Sequence, residues 1–253
     1  MVDIAVIDYG MGNLRSVHNA LRTVAPDSSV VVTDDPEVVA KAGRVVFPGQ
    51  GAMPDCMREL EARNLRQAVL DATRNKPFLG ICIGLQMLFE HSTEGDVPCL
   101  GVLPGQVLRF PHEMRDAQGK LLKVPHMGWN QVRQVVSSLP QGGKAIALSP
   151  TALSLRKGQE PASRSLVGGK LDRGHVGPHP MWRNIAQDER FYFVHSYYVK
   201  PSDISIVQAE SNYPEPFVCA VARDNLFAVQ FHPEKSYKAG LQLLENFTNW
   251  NPA

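Results

Sequence analysis

Short apolar runs alternate with amphipathic stretches in the first third of the chain. Runs of this kind are typical of buried parallel strands, whereas apolar residues three and four apart mark one face of a helix. The pattern predicts strands at residues 2–8, 29–33 and 44–47, and helices at 36–42, at 56–75 and along Leu14, Val17 and Leu21. Because strands that alternate with helices pair in parallel, we predict a three-layer α/β protein with a mixed, mostly parallel central sheet and helices on both faces.

The rest of the chain is richer in β-branched and aromatic residues. Residues 97–136 predict short antiparallel strands and turns, and an aromatic and polar turn is predicted within them at 124–130. Later segments of high β-propensity predict strands at 190–199, 217–222 and 226–231, and the spacing of Leu241, Leu244 and Phe247 predicts a closing helix.

One cysteine stands where a predicted strand passes into a predicted helix. The apolar run 78–81 precedes Cys82, a helical pattern follows it, and Gly80 and Gly84 flank it. Gly-x-Cys-x-Gly is the cysteine counterpart of the Gly-x-Ser-x-Gly nucleophile elbow, whose strained turn needs glycine on both sides. The turn puts the sulfur at a helix N-terminus, where the dipole favours a thiolate. Cys82 is therefore a candidate nucleophile, and the alternative is a buried structural cysteine.

A glycine-rich loop follows the predicted strand 44–47. The loop contains Gly49, Gln50 and Gly51, and in a parallel sheet it lies at the same edge as Cys82. Glycines at alternate positions let the backbone approach a ligand and direct N–H groups at it, as an oxyanion hole requires. We therefore predict that this loop stabilises negative charge beside Cys82, the alternative being an ordinary Pro-Gly turn.

His232 has the best setting of the eight histidines to act as a base for the cysteine. It follows the predicted strand 226–231, and Pro233 biases it to extended backbone. Side chains two residues apart on extended chain point to the same side, so Glu234 can reach the imidazole. Such a carboxylate orients the ring and stabilises its cation, which completes a set of nucleophile, base and orienting acid. The alternative for an isolated His-x-Glu is a surface pair.

Composition and charge exclude several classes of function. The formal net charge of +1 gives no reason to expect a nucleic acid or an anionic membrane as a partner. The four cysteines are scattered without a CxxC pair, so we expect no zinc site and no disulfide framework, and a reducing cytoplasm fits best. An acidic residue at position 3 and the lack of a basic region favour a first strand over a signal peptide. No apolar run approaches the about 18 residues that span a bilayer.

Residues 137–177 differ in composition from the remainder of the chain. They hold six basic residues against two acidic ones, so the segment carries +4 and the rest of the chain −3. Several Gly, Ser and Pro residues and few aromatic ones leave little apolar surface to bury. We therefore predict a single domain over residues 1–253 with a mobile, basic surface insert at about 137–177. The more specific alternative is that the segment is a basic arm that binds a nucleic acid or an acidic partner.

Six ordered motifs resemble those of the class I, or triad, glutamine amidotransferases. Two of them, at 80–86 and 231–234, carry the family resemblance. Four more, at 8–15, 48–53, 125–130 and 192–198, are similar to the glutaminase subunits of imidazole glycerol phosphate synthases of histidine biosynthesis. The likeness covers the chain except 137–177, where that family usually has a short connection. It implies a flavodoxin-like fold, the hydrolysis of glutamine, and no metal or organic cofactor.

The resemblance implies a role for each residue that matches a family motif. Three match the catalytic triad, two groups of backbone N–H match the oxyanion hole, and the others match contacts to the substrate L-glutamine. These are Cys82, His232 and Glu234 for the triad, the backbone near Gly51 and of Ile83 for the oxyanion hole, and Gln86, His195, Ser196 and Tyr197 for glutamine.

The resemblance also implies a partner chain. Only 19 residues follow Glu234, so we expect no second catalytic domain in this chain and the ammonia to be used elsewhere. In the family, ammonia passes within a heterodimer to a (β/α)8-barrel cyclase subunit, which converts a formimino-linked phosphoribulosyl ribonucleotide (PRFAR) into imidazole glycerol phosphate and AICAR. The predicted interface residues are Asn13, His126, Met127, Trp129 and Asn130, with a core position for Trp129 as the alternative.

Three other interpretations stay open from the sequence. Another triad glutaminase, serving pyridoxal phosphate, purine, anthranilate or folate synthesis, would share the elbow and His-x-Glu but not the stretches 125–130 and 192–198 in this order. A non-catalytic binding module on the same fold would be expected to lack the thiol or the base. A cysteine hydrolase of related topology would not explain Gln86.

Overall fold

The computed structural model describes residues 2–135 and 178–252 of the chain. The predicted insert at 137–177, with its alternative as a basic arm, lies outside the described residues. No helix within the described part is long and apolar enough to cross a membrane.

Thirteen strands of the described residues form one mixed sheet. In chain order they are β1 (Ile4–Ile7), β2 (Val30–Thr33), β3 (Arg44–Gly49), β4 (Phe78–Cys82), β5 (His91–Ser92), β6 (Val97–Pro98), β7 (Gly105–Arg109), β8 (His126–Gln134), β9 (Glu189–His195), β10 (Tyr197–Pro201), β11 (Val207–Asn212), β12 (Pro216–Arg223) and β13 (Leu226–Val229). Their order along the sheet is β2-β1-β3-β4-β13-β12-β10-β7-β5-β6, and β11, β8 and β9 branch from β12.

The five strands at one end of this order, β2 to β13, are parallel to one another. Their apolar runs are buried almost throughout, as expected for parallel strands covered by helices. Beyond β13 the pairing becomes antiparallel through β12, β10 and β7. The prediction of an α/β protein with a mixed, mostly parallel central sheet is confirmed in fold class: the sheet is mixed, and its five parallel strands form one continuous block.

Six helices of the described residues accompany the sheet. They are α1 (Leu14–Val24), α2 (Pro36–Lys41), α3 (Met53–Ala62), α4 (Arg66–Asn75), α5 (Ile83–Gln86) and α6 (Tyr237–Asn249). α1 packs against α6 and α2 against α4. α2 begins where its sequence directs, because Asp35 caps the N–H of Glu37 at 2.8 Å and Pro36 occupies the first helical position.

Two helix predictions were wrong in their extent. The predicted helix at 56–75 is two helices, α3 and α4, because the chain turns at Asn64 with φ of 56°. The helix predicted after Cys82 ends at Gln86, although Leu88 and Phe89 are fully buried. Leu88 and Phe89 are therefore apolar because the chain beyond α5 is buried on all sides, and not because they form one face of a longer helix.

Two strand predictions were also wrong in detail. The aromatic and polar segment at 124–130 was predicted as a turn, but from His126 it is part of β8, paired with β9. The predicted strand at 190–199 is two strands, β9 and β10, which separate at Ser196 and pair with different neighbours. High β-propensity identified both segments as extended but could not show where the chain changes partners.

Candidate active site

Three neighbouring strands of the parallel part of the sheet, β3, β4 and β13, end at the same edge. Gly49 at the end of β3 is paired with Cys82 at the end of β4, and β13, the next strand, leads into His232. Ligands of open α/β sheets bind at this edge, beyond the carboxyl ends of the strands. The topology alone therefore brings the predicted nucleophile, oxyanion loop and base into one place.

Cys82 occupies a strained turn between β4 and α5. Its φ of 57° and ψ of −111° are rarely adopted by a residue with a side chain, and the side chain is almost completely buried. The turn is possible because Gly84 packs directly on β3, where a Cβ would overlap the carbonyl oxygen of Phe47. This is the geometry of a nucleophile elbow, so the glycine requirement inferred from the sequence has a direct steric cause.

His232 and Glu234 form a buried pair beside the cysteine. The imidazole Nδ1 lies 2.8 Å from Glu234 Oε1, and both side chains are almost inaccessible to solvent. The residues meet across a single 3₁₀ turn, Pro233–Lys235, and not along extended chain as predicted. The predicted contact thus exists, but by a tighter local conformation than the one from which it was inferred.

The charge state of His232 is controlled by its neighbours. Burial alone would lower the pKa of this imidazole, but the negative charge of Cys82 and the hydrogen bond with Glu234 outweigh burial and raise the pKa above its ordinary value. Its Nε2 atom is buried and has no hydrogen-bond partner among the described residues. His232 is therefore able to take a proton from the thiol and to keep it as a stabilised cation.

The loop after β3 lies against the elbow. Gly49 is so closely packed that a Cβ there would lie 2.7 Å from the Cβ of Ile83 and 2.9 Å from the N atom of Gly84. Gly51 has φ of +113°, a conformation that side-chain-bearing residues rarely adopt. The loop residues Gln50 and Gly51 and the residue after the cysteine, Ile83, thus border the same cavity as Cys82, and their backbone N–H groups are candidates for a pair of oxyanion donors.

A cavity of about 380 Å³ opens above the nucleophile. This volume is within the range of small-molecule sites, which is about 300–1,000 Å³. The predicted residues that line it are Gln50, Gly51, Cys82, Ile83, Gln86, His195, Ser196, Tyr197 and His232. Two predicted catalytic or substrate-binding residues do not line the cavity. Gly49 is packed against Ile83 and Gly84, and Glu234 is hydrogen-bonded to His232.

Gln86 lines this cavity and has one buried side-chain atom without a hydrogen-bond partner among the described residues. Its Nε2 donates both hydrogens, to the carbonyl of Tyr197 at 3.0 Å and to Gln230 Oε1 at 2.9 Å. The remaining atom, Oε1, is buried and has no partner among the described residues. A buried acceptor without a donor is costly, so this atom is suited to receive a hydrogen from a bound ligand.

Sequence reasoning missed two polar residues of the site. Gln230 is completely buried, and its Nε2 lies 3.7 Å from the Cys82 sulfur, where it can donate to a thiolate. Glu94 lines the cavity and accepts the Met53 N–H at 2.9 Å, while burial raises the pKa of its carboxyl. A polar residue inside the apolar run 226–231 could have indicated Gln230, whereas no local pattern distinguishes Glu94.

The predicted interface residues are not all on the surface. Met127 and Trp129 are 62% and 41% exposed, whereas the His126 side chain is 4% exposed. Asn130 directs its amide inward, to the carbonyl of Asn212 at 2.7 Å, and Asn13 precedes α1. The side chain of His126 is not accessible to a partner chain in this conformation, because strand β8 points alternate residues to opposite faces.

No group of three or more His, Cys, Asp or Glu side chains that could hold a metal ion occurs in residues 2–135 and 178–252. All four cysteines of the chain are within the described residues, and each is a buried free thiol.

Comparison with known proteins agrees with this geometry. The family described as glutamine amidotransferase class-I matches residues 5–250 of the chain. Among curated relatives, the imidazole glycerol phosphate synthase subunit HisH of Thiobacillus denitrificans is 55% identical over 99% of this chain and 92% of its own length. The subunit of the same name from Aromatoleum aromaticum is 56% identical over the whole of both chains.

Solved structures support the same fold at low sequence identity. One described as a glutamine amidotransferase has a TM-score of 0.60 with 14% identity, over 96% of this chain and 98% of its own. A structure of PurLQS from Thermotoga maritima has a TM-score of 0.59 with 17% identity, over 98% of this chain and 99% of its own. These similarities establish the architecture of the chain.

Proposed function

Because the chain belongs to the class I glutamine amidotransferase family, we propose that it hydrolyses L-glutamine to glutamate and ammonia with the triad Cys82, His232 and Glu234. One observation carries the proposal. A strained, buried cysteine shares a cavity with a histidine that a buried carboxylate holds at its Nδ1, and with a glutamine whose side-chain oxygen has no partner among the described residues.

The first half of the reaction forms a thioester. His232 Nε2 takes the proton of the Cys82 thiol, and the sulfur attacks the carbonyl carbon of the substrate's side-chain amide. Backbone N–H groups of Ile83 and of the loop near Gly51 stabilise the oxyanion that develops. His232 then gives its proton to the leaving nitrogen, and ammonia departs as the C–N bond breaks.

The second half regenerates the cysteine. A water molecule loses its proton to His232 and adds to the thioester carbonyl. The C–S bond then breaks, glutamate is released, and the sulfur recovers the proton from the imidazole. Glu234 holds the ring in one orientation through both halves, because its contact at 2.8 Å occupies Nδ1 and leaves Nε2 toward the sulfur.

Specificity for glutamine follows from polar groups that line the cavity. The unpartnered Oε1 of Gln86 can accept a hydrogen from the substrate's carboxamide. Glu94 is a partly buried carboxylate in the same cavity and suits the α-ammonium group. The backbone of His195, Ser196 and Tyr197 forms the wall that would contact the amino-acid head group.

We propose that the ammonia is used by a separate subunit. Curated relatives of this chain are subunits of imidazole glycerol phosphate synthase, so the partner is expected to be the (β/α)8-barrel cyclase that makes imidazole glycerol phosphate and AICAR from PRFAR. Free thiols, including the nucleophile, suit the reducing cytoplasm in which such a heterodimer would work.

The exposed patch Met127, Trp129 and Tyr237 is the proposed docking surface. Trp129 stacks on Tyr237, which is 78% exposed, with ring centroids 5.1 Å apart. Trp129 also contacts Tyr192, a residue that lines the cavity. Aromatic residues and Met are enriched at interfaces, and this patch adjoins the cavity from which ammonia must leave.

Glutamate release by the full chain tests the chemistry. With Cys82→Ala we expect activity to fall by at least about 10⁴-fold, since loss of a nucleophile of this kind removes most catalysis. Cys99→Ala is the matched control, because Cys99 is also a buried free thiol but burial raises its pKa to about 11 and it does not line the cavity. Substantial hydrolysis by Cys82→Ala would refute the mechanism.

Partner binding tests the docking surface. Trp129→Ala should weaken association with a barrel cyclase subunit at least about tenfold, measured by titration calorimetry, as is usual for a central aromatic residue. Ile204→Ala is the control: it removes another exposed apolar residue, 72% exposed against 41% for Trp129, from the 3₁₀ turn before β11, and this variant should bind normally. Equal affinity of the Trp129 variant and the wild type would place the interface elsewhere.

A further inference from the structure

We propose that His126 and His195 are positioning residues for glutamine binding: they hold the Tyr197 carbonyl, and through it they set the orientation of the Gln86 amide. The inference rests on the proposed function, in which Gln86 contacts the substrate. His126 does not line the cavity, so its role would be exerted entirely through other residues.

The hydrogen bonds of the two histidines allow a single arrangement of protons. His195 Nδ1 lies 2.8 Å from the Tyr197 carbonyl, which can only accept, so Nδ1 carries the hydrogen. In a neutral ring Nε2 is then the acceptor, and it lies 3.0 Å from His126 Nδ1. His126 must therefore donate from Nδ1, and its own Nε2 accepts from the Asn130 amide at 3.3 Å.

The environment keeps both rings neutral and fixes their planes. Burial lowers the pKa of His126 to about 4 and that of His195 to about 3. The His126 ring stacks on Tyr213 with centroids 4.0 Å apart and on Phe193 at 5.1 Å. Phe110 packs edge-on against His195, at 5.1 Å. Neither ring can rotate freely, so the positions of their nitrogens are defined.

The Tyr197 carbonyl links the two histidines to Gln86 in the cavity wall. It accepts from His195 and also from Gln86 Nε2, whose second hydrogen goes to Gln230 Oε1. If the Gln86 amide were reversed, its oxygen would face two other oxygens. Tyr197 O and Gln230 Oε1 together therefore force Gln86 Oε1 to be the atom left for the substrate.

Kinetics of the full chain test the role of His126. His126→Leu removes the donor to His195 and should raise KM for glutamine about tenfold, which corresponds to about 1.4 kcal/mol, with kcat changed less than about threefold. His126→Asn places an amide nitrogen where Nδ1 stood and should restore KM to within about threefold of the wild type. Unchanged KM in the Leu variant, or an Asn variant as impaired as it, would overturn the proposal.

A spectroscopic measurement is independent of activity. Long-range ¹H–¹⁵N spectra of the labelled chain should show two neutral histidines protonated at Nδ1 from pH 8 to pH 5, one of which disappears in His126→Asn. Protonation of His195 at Nε2 would overturn the proposal.

The two measurements separate this proposal from the proposed function. A wild-type chain that releases no glutamate from glutamine would contradict the function. In that case the tautomers observed in the spectra, together with calorimetric binding of L-glutamine to the wild type, His126→Leu and His126→Asn, still decide whether the histidines act as stated. Equal binding by all three would overturn the positioning role.

Discussion

The parallel and antiparallel parts of the sheet contribute to the site in different physical ways. The parallel strands β3 and β4 act through their backbone: they supply the strained turn at Cys82 and the glycine loop packed on it. The antiparallel strands β8, β9 and β10 contribute the His126 and His195 side chains and the Tyr197 carbonyl, which form a hydrogen-bonded network with Gln86 of α5. Strain and close backbone approach shape the turn at Cys82, whereas hydrogen bonds between polar groups fix the orientation of the Gln86 amide.

The two parts should therefore respond differently to substitution. Backbone geometry at the elbow depends on the absence of a Cβ, and no side-chain rotation can relieve a clash with a neighbouring strand. Polar side chains can be exchanged for others that offer the same donor or acceptor, provided that the geometry is kept. Changes at the close backbone contacts should remove the folded site, and changes of polar side chains should alter its chemistry in a stable fold.

The largest effect is expected for Gly84→Ala. The new Cβ would overlap the carbonyl oxygen of Phe47 in β3, so the free energy of unfolding should fall by about 3 kcal/mol or more and glutaminase activity should be lost. Urea denaturation measures the first effect. Gly101→Ala is the control, because Gly101 has φ of +67° but no atom within 4 Å of a new Cβ, and it should cost only about 1–2 kcal/mol. Equal losses for the two variants would contradict the proposed clash.

Glu234→Gln is the corresponding test of a polar side chain, located in the 3₁₀ turn that follows β13. The amide cannot stabilise the cationic form of His232 as the carboxylate does, so kcat should fall about 10²–10⁴-fold. The fold should persist, with the free energy of unfolding changed by less than about 2 kcal/mol. Glu245→Gln on α6 is an exposed control and should keep wild-type kcat. An unfolded Glu234→Gln chain would show that this residue is chiefly structural.

The smallest expected effect is a pH dependence of stability. His126 and His195 are neutral in the folded state, with pKa values of about 4 and about 3, whereas an unfolded histidine has a pKa of about 6.5. Between these pKa values the unfolded state binds more protons than the folded state. The contribution of the two histidines to the free energy of unfolding is therefore fully present above about pH 6.5 and is lost as the pH decreases. Each histidine contributes a slope of up to about 1.4 kcal/mol per pH unit.

His126→Asn isolates this contribution. Near pH 5 the slope of unfolding free energy against pH should decrease by about 1.4 kcal/mol per pH unit relative to the wild type. His232 does not mask the effect, since its raised pKa leaves it protonated in both states at that pH. Identical slopes for variant and wild type would mean that His126 is protonated in the folded chain.

The strained turn at Cys82 and the contact between His232 and Glu234 could be predicted from sequence because each depends on neighbouring residues. Gly80, Cys82 and Gly84 lie within five positions, and His232 and Glu234 within three. Their backbone consequences are local, so residue type was sufficient. The oxyanion loop could be predicted for the same reason, once the parallel order of β3 and β4 placed it beside the cysteine.

The network behind the cavity could not be predicted in this way. His126 and His195 are directly opposite each other across β8 and β9, and Gln86 reaches Tyr197 across 111 positions of sequence. Such contacts depend on strand register, and a shift of one residue would turn every side chain to the opposite face. The family resemblance assigned His126 to a partner interface together with Met127 and Trp129, and only the strand register shows that its side chain is buried while theirs are exposed.

The Tyr197 carbonyl has a consequence for proton movement. Hydrogen bonds run toward it from Asn130 through His126 and His195, and Gln86 donates to it from the other side. A carbonyl oxygen has no hydrogen to pass on, so the series of polar groups cannot conduct a proton between the interior of the sheet and the cysteine. In the proposed reaction, the protons exchanged in each cycle therefore stay among the sulfur, the His232 ring, the substrate and the attacking water, and none reaches the polar groups beyond the Tyr197 carbonyl.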